Sequence, residues 1–237
     1  MNLRILKENE EGFGIIIDKE SGSIGRELNL NLTEGYQKLD LSAPLIYYAT
    51  LQKYGVENRN GRIYPEDILR REVERYQEVI RKNASFHELD HPQESVISLK
   101  GGSPHRILEL MWKDNALIGK LEILVSEGYR RSGVISCHGD LVAHYLSYGM
   151  TLGISSRGVG SLKKVNGKNM VQDDFELICW DIVSSPSTPG SYLYKDINDF
   201  AKYDEKTVNN EPAIANGKSA GSDEEDFMER LSSFLRK

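Results

Sequence analysis

The chain has 237 residues, 39% apolar and 28% charged, with a net charge of −6. That length can bury a sizeable core and that composition is ordinary for a soluble globular protein, while the acidic balance argues against a dedicated nucleic-acid binder, which carries a basic footprint. No apolar run reaches the length of a membrane span, and the opening residues turn acidic at once without the apolar stretch of a secretory signal.

Residues 1–45 read as irregular or strand-like, with Gly14-Ile15-Ile16-Ile17 as the best strand. A strand over 47–54 leads into a polar loop, in which Asn60-Gly61 marks a turn. A helix then starts at Pro65, with Glu66 and Asp67 complementing its dipole. Ile68, Leu69, Val73, Tyr76, Val79 and Ile80 recur at helical spacing, and Asn83 and Pro92 bracket the exit. Strands over 105–113 and 116–125 form a hairpin through Asp114-Asn115. A second helix runs over about 140–148, with Asp140 as N-cap and Gly149 closing it. A strand follows over 151–157, then a hairpin at Asn166-Gly167 and a strand over 175–183. Beyond about Phe200 the residues become polar, small and acidic, which reads as a disordered linker before a short amphipathic helix carrying Phe227, Leu231, Phe234 and Leu235. The expected division is a folded domain over 1–198 and a tail over 199–237. Cys137 and Cys179 lack metal-type spacing and point to a reducing, intracellular compartment.

Two segments carry candidate chemistry. His87-Glu88-Leu89-Asp90-His91 fits the H-E-x-x-H zinc pattern, which works only on a helix, where both histidines share a face. Pro92 directly follows and pushes His91 out of the helical region, so the segment is expected to be extended or turning. Glu109 and Glu122 are third ligands only by chance. No metal is expected. The second segment is Met150-Thr151-Leu152-Gly153-Ile154-Ser155-Ser156-Arg157-Gly158. Strand alternation puts Leu152, Ile154 and Ser156 on one face and Gly153, Ser155 and Arg157 on the other. Ser155 thus points away from the apolar face, Arg157 and nearby amides are natural oxyanion donors, and Gly158 lets the backbone bulge. On pattern alone, the segment reads first as an ordinary strand end on a solvated surface.

Asn58-Arg59-Asn60-Gly61-Arg62-Ile63-Tyr64-Pro65, then Glu88-Leu89-Asp90-His91-Pro92, then Gly153-Ile154-Ser155-Ser156-Arg157-Gly158-Val159-Gly160-Ser161-Leu162 resemble the ordered blocks of the prohead core proteases of T-even-type tailed phages. The resemblance covers about 47–189. It implies an α+β fold, a small assemblin-like β-barrel flanked by helices, and a serine endopeptidase without cofactor. It also implies that internal scaffold and major capsid proteins are substrates, cut inside the assembling prohead in the host cytoplasm, with self-cleavage and with activity that can depend on oligomerisation. By motif, the nucleophile falls on Ser155 and the base on His91, with Arg157 and Gly158 supporting the oxyanion.

Asp181, an acidic residue in an apolar strand that needs a partner, matches the family's acidic position and is expected to orient His91. Asp90 is the fallback. His87 stands where the family pattern expects glycine, and could line a substrate groove. The resemblance also implies cleavage after glutamate with an aliphatic residue two positions earlier, a rule that Leu6-Lys7-Glu8 and Leu32-Thr33-Glu34 fit. Asn58, Arg59 and Asn60 read as a polar turn bonding nearby backbone. His105, His138 and His144 read as surface or satisfied core histidines, and Cys137-His138 lacks anything to orient a thiol nucleophile. A rival reading is a scaffold-binding assembly protein with a vestigial site, in which the helix at Phe227–Leu235 does the binding.

Overall fold

The computed structural model describes residues 12–17, 39–92 and 95–200. Both expected self-cleavage segments, the linker and the terminal helix lie outside them. No described helix is long and apolar enough to cross a membrane.

The chain begins with β1 (Gly12–Ile17), β2 (Leu45–Lys53) and the short β3 (Arg62–Ile63). Helix α1 (Glu66–Arg81) follows, with Pro65 at its N-cap rather than inside the first turn. Its apolar stripe buries Ile68, Leu69, Val73 and Tyr76 in the main core, as the spacing predicts. The stripe also buries Glu72, whose Oε2 accepts from Leu177 N at 2.9 Å and tethers the helix to the strand that begins at Glu176. Arg71 and Arg75 pair with Glu72 from the helix surface.

The predicted hairpin forms as β4 (His105–Lys113) and β5 (Ala116–Ile123), with Asp114 at φ 51° in the turn. A one-turn helix that the pattern did not reveal, α2 (Glu127–Ser132), is capped by Ser126, whose Oγ accepts from Tyr129 N at 3.1 Å. Helix α3 is His138–Ser147, so it starts before Asp140. Asp140 is not its N-cap. It sits one turn in, accepting from the amides of Cys137, Ser136 and Ser126 at 3.2, 2.9 and 2.7 Å. That many local donors draw the carboxylate to the loop ahead of the helix. Gly149 closes α3 at φ 68°.

Strand β6 (Gly153–Val165) is longer than the predicted 151–157. The glycines that suggested an ending instead clear room for the returning chain. A Cβ on Gly158 would lie 2.4 Å from the Phe175 ring and 2.7 Å from Glu176 O, and one on Gly160 2.9 Å from Phe175 Cα. Asn166 and Gly167, both at positive φ, turn β6 into β7 (Lys168–Val171), and β8 (Glu176–Val183) and β9 (Leu193–Tyr194) complete the strands.

One sheet runs β1-β6-β7-β3, with β8 also paired to β6; the other runs β4-β5-β2-β9. The segment 191–194 joins them. Ile154 N donates to Ser191 O and Leu193 N to Leu152 O, both at 2.9 Å, while Leu193 and Tyr194 pair with Ala49 and Tyr48 of β2. The result is an α+β partial barrel whose core is shared by both sheets and by α1 and α3.

Candidate active site

The pairing of β6 with β8 decides what faces what. In this antiparallel register Ser155 lies opposite Asp181, Arg157 opposite Cys179 and Ser156 opposite Trp180. Directly opposed residues project on one face, so Ser155, Arg157, Cys179 and Asp181 share a face and Ser156 takes the other. The sequence reading of the alternation holds, but the solvated-surface alternative does not. Ser155 and Arg157 are 0% exposed and Ser156 2%. On the Ser155 face, a Cβ on Gly153 would come within 2.5 Å of Pro186 Cδ, so glycine at 153 lets the chain after β8 cover the strand. The Asn58 turn holds that cover in place: Asn58 Oδ1 accepts from the amides of Asn60 and Arg62, both at 3.0 Å, and Arg59 N donates to Ser187 O at 3.0 Å.

The third strand of the site is a loop laid along β8. Leu89 bridges Ile182 in parallel, Asp90 N donates to Ile182 O at 2.9 Å, and Ile182 N donates to Glu88 O at 3.2 Å. Asp90 and His91 both adopt left-handed backbone, at φ 55° and 50°. That region is uncommon for residues with a side chain, and here the backbone bonds to β8 hold it. The turn delivers His91 to Asp181. His91 Nδ1 donates to Asp181 Oδ2 at 2.7 Å, with both side chains fully buried. A carboxylate can only accept, so the proton is on Nδ1 and the lone pair is on Nε2. Nε2 is buried and has no hydrogen-bond partner among the described residues. Asp90, the fallback orienter, is exposed, and its Oδ1 accepts from Ser184 N at 3.4 Å instead.

Asp181 is the hub. Its Oδ1 also accepts from Glu88 N at 2.8 Å and from the Cys179 thiol at 3.2 Å, and Arg157 Nε lies 2.8 Å from Oδ2. Burial alone would push this carboxyl up; the His91 hydrogen bond, the charges of His91 and Arg157 and the Glu88 amide outweigh it and hold it well below the usual carboxylate range. Its contribution to stability is therefore present above the ordinary carboxylate pKa and is lost only in stronger acid.

Arg157 is fully buried. Its Nη2 donates to Glu88 Oε2 at 2.6 Å and to Cys179 Sγ at 3.3 Å. The guanidinium is thus held between Glu88, Cys179 and Asp181. Next to it the β6–β8 register slips between Arg157 and Gly158, which is the bulge that Gly158 suggested.

The H-E-x-x-H residues do not converge. The segment is not helical, Glu88 is paired with Arg157, and His91 with Asp181. His87 is fully buried, so it cannot line a substrate groove. Its ring stacks on His105 at 4.1 Å, its Nδ1 accepts from Trp180 N at 3.3 Å and its Nε2 lies 2.8 Å from Ser85 Oγ. Among the described residues no group of three or more His, Cys, Asp or Glu side chains is placed to hold a metal.

Burial pushes His87 down to about 4, and burial together with the His87 ring pushes His105 well below its ordinary value. Both are thus neutral in the fold and become protonated more readily in the unfolded chain. The stability they confer is complete above about pH 6.5 and declines as the pH falls toward 4. Thermal melting followed against pH is expected to show a level Tm above pH 7 and a falling one between 6.5 and 4. A Tm unchanged between pH 7 and pH 5 would refute this.

Comparison with known proteins fixes the relationship. The family of prohead core protein serine proteases matches residues 20–201. The chain belongs to that family. Within the prohead protease family, it is similar to the "Prohead core protein protease" of Enterobacteria phage T4, at 33% identity over 142 residues, or 58% of this chain and 62% of that protein. The matched stretch thus spans less than two thirds of the T4 relative. Among solved structures it is similar to the bacteriophage T4 capsid assembly protease, with a TM-score of 0.56, 26% identity, and coverage of 75% of this chain and all of that one. The α+β partial barrel flanked by helices is therefore the fold of a member of this family.

Proposed function

We propose that the chain is a serine endopeptidase that cuts internal scaffold and capsid proteins, and itself, inside the assembling phage head. The observation that carries this reading is the buried His91–Asp181 pair, 2.7 Å apart, with Asp181 directly across from Ser155 on the neighbouring strand. Such a pair turns a serine into a nucleophile.

In the proposed mechanism, Ser155 Oγ attacks the scissile carbonyl carbon while its proton passes to His91 Nε2. Asp181 stabilises the imidazolium through Nδ1. The proton on Nε2 then goes to the departing peptide nitrogen, leaving an ester on Ser155. Water, deprotonated by His91, hydrolyses that ester and restores the serine. Oxyanion support is assigned to the main chain at Arg157 and Gly158, where the β-bulge interrupts the ladder beside the serine. The Arg157 side chain has a positioning role.

The resemblance in the motifs extends to cleavage after glutamate. Intact-mass measurement of the active enzyme is expected to reveal species lacking residues 1–8 or 1–34, ending the cut at Glu8 or Glu34, and these species are expected to be absent from His91→Ala. Co-expression with cognate scaffold and capsid proteins, followed by mass spectrometry, tests the function itself: wild type should process both, and His91→Ala neither. Intact partners beside folded wild-type enzyme in assembled heads would count against it.

A further inference from the structure

Glu88 has no task in that mechanism, yet it ties its loop to both β6 and β8. Its amide donates to Asp181 Oδ1 at 2.8 Å, its carbonyl accepts from Ile182 N at 3.2 Å, and its carboxylate takes Arg157 Nη2 at 2.6 Å. The last contact matters for charge. Arg157 Nε lies 2.8 Å from the same Asp181 oxygen that holds His91. Alone, Arg157 would cancel the carboxylate that is to balance the imidazolium.

The other titratable groups around Asp181 carry no charge to offset this. Burial pushes the Cys179 thiol of β8 and the Tyr76 phenol of α1 up, and pushes His87 of the loop and His105 of β4 down, so all four are neutral near pH 7. Asp90 is exposed, with its carboxylate on Ser184 N. The charges left within the cluster are Asp181, Arg157 and Glu88. With Glu88 present the cluster holds one net negative charge beside a neutral His91, and proton transfer from the serine brings it to zero. Without Glu88 the cluster starts at zero, and proton transfer makes a buried net cation, which a low-dielectric interior strongly disfavours.

Resting on the serine-protease reading above, we infer that Glu88 is a positioning residue that neutralises Arg157 and so leaves the charge of Asp181 available to His91. The pairing lets Arg157 clamp Asp181 in place without lowering the basicity of the histidine. Glu88→Gln keeps the shape and an acceptor oxygen but removes the charge.

The test is the pH dependence of kcat/KM for Glu88→Gln, Arg157→Gln and the double variant, with wild type and Ser155→Ala alongside and folding followed by thermal melting. Glu88→Gln is expected to move the acid limb down by about one pH unit and to lower the plateau about tenfold. Arg157→Gln should move the limb up. The double variant restores one net negative charge, and its limb should return to within about half a pH unit of wild type. If Glu88→Gln does not fold, the step from Arg157→Gln to the double variant reads the same charge and should be downward by about the same amount. A Glu88→Gln enzyme that loses rate with an unmoved limb, or a double variant as displaced as Glu88→Gln, would overturn the inference. So would a double variant that does not fold, since the pair would then serve the fold alone. Activity in Ser155→Ala would instead remove the serine-protease reading on which the inference stands.

Discussion

Ser155→Ala is expected to lower kcat by about 10⁴- to 10⁶-fold while the protein remains folded. The nucleophile is removed, but the His91–Asp181 pair and the strand ladder that present it do not depend on the serine hydroxyl. The informative control is Ser156→Ala. Ser156 is as buried as its neighbour but lies opposite Trp180, on the other face of β6. Its hydroxyl cannot approach His91 without a change of register, so activity is expected to stay within about an order of magnitude of wild type. Scaffold cleavage by the two purified variants, read by mass spectrometry, separates them. Loss in Ser156→Ala with activity retained in Ser155→Ala would place the nucleophile one residue on.

Asp181→Asn should impair both activity and stability. The amide can present a donor to His91 Nδ1, favouring the tautomer whose proton is on Nε2, where the serine proton has to go. A loss of about 10⁴-fold in kcat follows. The change also leaves Arg157 with Glu88 as its remaining anionic partner in a fully buried site. Disrupting a buried charge pair from one side costs roughly 3 kcal/mol. For a domain of this size that lowers Tm by about 6–12 °C. Kinetics measured well below the melting transition keep the two effects apart. An Asp181→Asn enzyme within tenfold of the wild-type kcat would exclude Asp181 as the orienting group.

Local rules made the face of Ser155 and the non-helical path at His91 legible, while their proposed chemistry came from the resemblance of the motif blocks. Period-two alternation chose between Ser155 and Ser156, and Pro92 ruled out a helical zinc motif. The α1 stripe and the turns at Asp114 and Asn166-Gly167 were legible for the same reason. What could not be read was set by contacts between distant segments. Glu88 resembled a zinc-activating base, and only its proximity to Arg157, 69 residues away, makes it a counter-charge. Arg157 resembled an exposed oxyanion donor because nothing local says that the face of β6 carrying it is covered. Gly158 likewise looks like a place where the strand opens, and nothing local says that Phe175 packs against it. Asp140 was read as a cap because its donors at Ser126 and Ser136 come from a loop whose path the pattern did not reveal.

The opposition of Ser155 and Asp181 across two strands makes activity a proofreader of folding. A slip of one residue between β6 and β8 would turn Ser155 away and bring Ser156 toward the histidine side, with Arg157 and Cys179 displaced along with it. Left-handed backbone at Asp90 and His91 is held by bonds to β8, so the base also arrives only when β8 is seated. An incompletely folded chain thus lacks nucleophile, base and counter-charge together. The proposed enzyme is, by this construction, inert until its own barrel is finished.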